Sequence, residues 1–124
     1  MFVKFHDVSF KTGNYFQSVF VLCAKTPDLI ACRESAAQEF ELEPNGEYMP
    51  HVSLVYADLD EAQLKAVAEE AVHRLYRGEK GMESELLAET GFWAEDIELW
   101  EIDINDKLLE TWNLIEKVGF LSKE

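Results

Sequence analysis

The sequence predicts an α+β domain, a mostly antiparallel sheet with helices on one face. Three observations lead there. Two strand-like segments follow each other across a tight turn at the start of the chain. Two later segments carry apolar residues at helical spacing, and strand-like and helix-like segments then alternate to the end.

Phe2 to Phe10 is rich in aromatic and β-branched residues and reads as the first strand. Lys11-Thr12-Gly13-Asn14 is a turn cluster. Tyr15 to Ala24 carries the strongest strand signal in the chain, so the two segments form a hairpin. Thr26-Pro27-Asp28 then starts a helix, with a capping hydroxyl, proline at the first helical position and an acid in the first turn. That helix is expected to reach Phe40 and to turn Leu29, Ile30, Cys32, Ala36, Ala37 and Phe40 inward.

Residues 41–49, with Pro44-Asn45-Gly46, read as a loop, and Pro50 opens a short apolar strand from Val52 to Ala57. Asp60 caps a second helix whose Leu64, Val67, Ala68, Ala71, Val72 and Leu75 recur at helical spacing. Residues 77–81 end it. Residues 83–104 read as one bent strand or two short ones, with Gly91 as a bulge. Asn105 or Asp106 is expected to start a last helix through Trp112 to about Val118.

With 124 residues and 48% hydrophobic content, the chain fits one domain, residues 1–124, without linker or internal repeat. Its core is large enough to bury roughly two-thirds of the unfolded surface. No apolar run approaches the 18 or so residues that cross a bilayer, and the N-terminus lacks the pattern of a secretory leader. Cys23 and Cys32 form neither a CxxC pair nor a zinc cluster and read as core thiols of a reducing compartment, cytoplasmic or nuclear, with the cytoplasm expected. Acidic residues outnumber basic ones 25 to 11, for a formal charge of −14. That excess argues against binding duplex nucleic acid, yet is compatible with a small phosphate held in a local pocket.

The histidines are His6, His51 and His73. His73 falls beside Arg74 on the second helix and reads as a surface residue. Strand alternation groups His6 with Phe2, Lys4 and Val8, which suits a structural role. His51 stands at the mouth of a strand, in Tyr48-Met-Pro-His-Val-Ser-Leu-Val-Tyr56, with Ser53 two residues on and so on the same face. An imidazole and a hydroxyl side by side can hydrogen-bond one phosphate, and the imidazole can exchange a proton with its ester oxygens. The pattern alone suits a histidine satisfied in a core better than a catalytic one.

Pro50-His-Val-Ser-Leu-Val-Tyr56, followed by the acidic helix start Ala57-Asp-Leu-Asp60, resembles the second catalytic motif of cyclic phosphodiesterases of the two-histidine phosphoesterase superfamily. Tyr15-Phe-Gln-Ser-Val-Phe20 and Asp106-Lys-Leu-Leu-Glu-Thr-Trp112 fit the plant and fungal branch in order. The resemblance covers essentially this whole chain and about the last two-thirds of a family member. It implies half of a two-lobed fold whose lobes flank a groove and each supply a His-x-Thr/Ser pair. It also implies metal-free action, without cofactor, on nucleoside 2′,3′-cyclic phosphates or ADP-ribose cyclic phosphate.

Carried over by position, His51 is an acid/base, Ser53 its phosphate-binding partner, and Tyr56 and Phe16 line the ligand pocket. For Phe16 and Tyr56 an ordinary core role stays open. In the family the first histidine motif precedes the segment that opens this chain, and His6-Asp-Val-Ser9 has the wrong spacing on a regular strand. Three functions follow: a weakly active or ligand-binding half, a homodimer in which each copy donates His51 and Ser53, or a non-catalytic module for a nucleotide or a protein. The first of these is the favoured reading; separately, apolar strands near sheet edges predict assembly as a homodimer, burying on the order of 1,000 Å² or more.

Overall fold

The computed structural model describes residues 1–43, 46–77, 85–86 and 91–120. The chain divides into two compact units: residues 2–92, and Met1 with residues 93–124.

The first unit is α+β, as the sequence predicts. Strand β1 (Phe2–Phe10) pairs antiparallel with β2 (Val19–Cys23), and β2 pairs antiparallel with β3 (His51–Val55). Together with β6 (Gly91–Trp93) they form a four-stranded sheet in the order β3-β2-β1-β6. Helix α1 (Pro27–Glu39) links β2 to β3, and α2 (Glu61–Leu75) follows β3. Two short strands, β4 (Tyr76–Arg77) and β5 (Glu85–Leu86), pair with each other.

The core lies between α2 and one face of the sheet. Val8, Val19 and Val21 meet Leu64 and Ala68, with Val52, Val55, Val67, Ala71, Val72 and Leu75 packed around them. Val19 and Leu64 are essentially fully buried, which is worth roughly 1.5–3 kcal/mol for each side chain. The inward residues of α2 are those its spacing predicts. Its start is a reciprocal cap: Gln63 N donates to the Asp60 carboxylate (2.8 Å) and Asp60 N donates to Gln63 Oε1 (3.1 Å).

Helix α1 begins as predicted, with Leu29 N donating to Thr26 Oγ1 at 3.3 Å. It ends on a left-handed residue, Glu41 (φ 54°), while Leu42 N donates to Ala37 O and Glu41 N to Gln38 O. None of its side chains is fully buried, and Ile30, expected inside, is exposed.

Other segments differ from the sequence reading. Tyr15–Gln17 is a single 3-10 turn rather than the start of a strand. The third strand runs His51–Val55 instead of reaching Ala57. Gly91 is not a bulge: it begins β6 where a Cβ would collide with the Val3 carbonyl, so only glycine lets the two backbones approach. A bulge falls instead in β1, between Phe5 and Asp7, and the register also shifts where β2 meets β3, at Val19/Phe20. Pro44 and Asn45 of the expected loop, residues 78–81 of the expected helix end, and residues 83–84 and 87–90 lie outside the described residues.

In the second unit, β7 (Asp96–Glu101) pairs antiparallel with β8 (Asn113–Gly119). The expected last helix is therefore absent. The Asp106 carboxylate accepts from Leu108 N (3.2 Å), Thr111 N (2.7 Å) and Thr111 Oγ1 (2.6 Å), folding that stretch into turns. Pairing then sets Lys117 opposite Glu98, 3.7 Å from its carboxylate and 3.3 Å from that of Asp96. Among the described residues no helix is long and apolar enough to cross a membrane.

Candidate functional site

The site is built on β3. Cys23 N donates to Pro50 O at 2.9 Å, which ties the entry of β3 to the end of β2. From there the register pairs His51 with Leu22, Val52 with Val21 and Ser53 with Phe20. Val21 and Val52 face α2 in the core. Alternation therefore places His51 and Ser53 together on the opposite face, away from α2.

Two contacts orient the His51 ring. Its Nδ1 lies 2.8 Å from the Met49 carbonyl oxygen. A carbonyl only accepts, so the neutral ring carries its proton on Nδ1 and keeps Nε2 as the acceptor. The ring also stands edge-on to Phe20, centroids 5.4 Å apart at 63°. Phe20 is buried and gives the imidazole a fixed apolar wall.

Past the far end of β3, Phe16 and Tyr56 meet nearly edge to face, 5.4 Å between centroids. Tyr15 joins them, 5.0 Å from Phe16 and 6.4 Å from Tyr56. Ser18 holds this cluster. Its fully buried hydroxyl donates to Ala57 O (2.7 Å) and accepts from Ala57 N (3.1 Å), stitching the 3-10 turn to the chain after β3. Neither Ser18 nor Tyr15 has a role that the local sequence pattern reveals. The available signal was a lone hydroxyl in an apolar run, which must find partners when buried.

The structure thus brings together His51 with Ser53, and Phe16 with Tyr56. The family model for cyclic phosphodiesterase-like proteins matches residues 1–120. The chain belongs to that family. A cyclic phosphodiesterase of Arabidopsis thaliana is 33% identical over 105 residues, covering 84% of this chain and 53% of the relative. This cyclic phosphodiesterase-like chain therefore spans about half the length of the curated relative it matches.

In this family member, a cleft of about 760 Å³ opens beside the site, with His6, Gln17, Leu22, Lys25, Tyr48 and Pro50 among its walls. His6 does not share the face of Val8, as strict alternation predicts. The β1 bulge leaves it between the pairs Phe5–Cys23 and Asp7–Leu22, so it is exposed and lines the cleft with Leu22. After the bulge Ser9 pairs with Phe20, on the face of Ser53.

Both cysteines are free thiols. Burial pushes the Cys23 thiol up, which keeps it protonated and inert. Burial also raises the Tyr48 phenol, and Cys32 adds to this; Arg33 lies over its ring at 4.5 Å.

Proposed function

We propose that this chain binds a small cyclic phosphate, a nucleoside 2′,3′-cyclic phosphate or ADP-ribose cyclic phosphate, through His51 and Ser53, and that these residues serve its metal-independent hydrolysis. The observation that supports this reading best is the pair on one face of β3, with the His51 proton held on Nδ1. Nε2 is then the atom turned to chemistry. As an acceptor it takes a proton from the attacking water; once protonated it returns one to the ribose oxygen that leaves as the ring P–O bond breaks. The Ser53 hydroxyl donates to a non-bridging phosphoryl oxygen, where charge builds in the transition state. Phe16 and Tyr56 offer apolar ring surface for the base or ribose.

One imidazole serves one proton transfer at a time, so rapid turnover calls for a second acid/base. A homodimer in which each copy contributes His51 and Ser53 supplies it with two-fold symmetry. The rival reading is a non-catalytic module that binds a nucleotide or a protein at the same face. Assay of a 2′,3′-cyclic nucleotide panel, with His51→Ala as control, separates the two. Activity lost in His51→Ala supports hydrolysis, whereas binding without turnover in the parent chain supports the module. Light scattering at micromolar concentration tests the homodimer: a mass near that of one chain removes it.

A further inference from the structure

We propose that the cleft bounded by His6, Lys11, Gln17 and Lys25 is a phosphate-binding subsite in its own right, beside the His51–Ser53 pair and distinct from it. The inference stands on the cleft's own geometry and does not require the preceding reading to hold.

Its walls are rich in donors. Lys11 Nζ (3.1 Å) and Asn14 Nδ2 (3.4 Å) both donate to Gln17 Oε1, so the other end of that amide, its NH₂ group, is the donor Gln17 has to offer a ligand. Lys25 stands on the wall paired with Glu47 at 2.9 Å. The Glu47 side chain is 86% exposed, and an ion pair so open to water is weak enough for an incoming anion to compete with it. The bulge in β1 supplies a further ring N–H donor, His6. It removes His6 from the core face of Val8 and turns it to the cleft.

The local charge balance differs from that of the whole chain. The chain carries a formal charge of −14, yet this cleft gathers two lysines and a histidine against the Glu47 carboxylate. Asp7 also belongs to this face by register, where its carboxylate accepts from Val8 N at 2.8 Å. Over the few ångströms of a bound anion Lys11 and Lys25 stand against Glu47 and Asp7, while the chain's distant carboxylates are screened beyond roughly 8 Å. Gln17, lysine and imidazole donors on one cleft, set among the apolar Leu22, Met49 and Pro50, suit the several oxygens of a phosphate.

The cleft adjoins the first site. Leu22 on its wall is the cross-strand partner of His51, and Met49 on its wall holds the His51 Nδ1. Two sources can therefore fill it: free inorganic phosphate, or a second phosphate on a ligand already held at His51 and Ser53.

The test is a titration of the full ¹⁵N-labelled chain, first with inorganic phosphate. Saturable shifts of the His6 and Lys25 amides are expected. Lys25→Ala should weaken binding about fivefold and Glu47→Gln tighten it by about the same factor, the scale of one charge at short range in water. Lys65→Ala, on the exposed side of α2, should change nothing. Shifts confined to His51 and Ser53, or the same affinity in all three variants, would overturn the proposal. Uridine 2′,3′-cyclic phosphate with and without a 5′-phosphate then identifies the source. Tighter binding with the 5′-phosphate, lost in Lys25→Ala, assigns the cleft to a second phosphate of the ligand; equal binding assigns it to free phosphate. If the cyclic nucleotide leaves His51 and Ser53 unmoved, the proposed function fails while the response of His6 and Lys25 to phosphate still decides the cleft.

Discussion

His51 Nδ1 and the Met49 carbonyl oxygen, two residues apart along the chain, lie 2.8 Å from each other. The contact is local, so the ring's tautomer is set by the segment that delivers it to β3 and does not wait on a distant element. One imidazole nitrogen is spent on orientation, which leaves Nε2 as the acceptor of the neutral ring.

That division of labour can be tested within one side chain. Asparagine in place of His51 keeps a donor near the Nδ1 position but has no counterpart of Nε2. We expect His51→Asn to lose roughly 10² to 10⁴ in the rate of 2′,3′-cyclic nucleotide hydrolysis. Its unfolding free energy should stay within about 0.5 kcal/mol of the parent. Retention of the parent rate would show that Nε2 is not the acid/base.

Ser18 makes the link between the 3-10 turn and the chain after β3. Ser18→Ala leaves both the amide and the carbonyl of Ala57 without this partner, at a cost of about 1–3 kcal/mol in denaturant unfolding. The Phe16 and Tyr56 rings should separate as the turn loosens. Loss of the nuclear Overhauser contacts between them is the readout.

Glu41 ends α1 with a positive φ that an L side chain adopts reluctantly. Glycine removes that strain but adds freedom to the unfolded chain, so the gain is partial. Glu41→Gly is expected to raise stability by about 0.5 kcal/mol, measured as a shift of the urea midpoint at constant slope. A loss of stability would mean that the Glu41 side chain contributes more than its backbone costs.

Asp106 is held below the usual carboxylate range by hydrogen bonds from Thr111, side chain first and then backbone. A group depressed in the folded state binds fewer protons there than in the unfolded chain. Its contribution is complete above the ordinary carboxylate value and is lost as pH falls through the lowered one. The turn after Ile104 should therefore open in acid, below about pH 4. Carboxyl ¹³C titration should find Asp106 below other aspartates, and Thr111→Val should move it back toward them.

Much of this protein was legible in its sequence because the determining chemistry is short-range. Thr26-Pro27 starts α1 and Asp60 with Gln63 starts α2 through bonds spanning three residues. The α2 stripe and the shared face of His51 and Ser53 follow from the periods of helix and strand. The Pro-His-x-Ser-Leu-x-Tyr pattern, with its flanking segments, identified the family.

Other features rest on partners far along the chain. Ser18 reaches Ala57 across 39 positions, so neither the 3-10 turn nor its hold on Phe16 and Tyr56 is visible in the local pattern. Residues 113–119 carry apolar spacing that also suits a helix; pairing with β7 decided for a strand, and the Asp106 turn made that pairing possible. Alternation put His6 with Val8, and a one-residue slip against β2 sent it to the cleft. The sequence by itself determined where helices begin, which faces are apolar and which histidine stands beside a serine. Only the tertiary structure decided where the register slips and which side chains meet, because those outcomes depend on the summed pairing of whole strands.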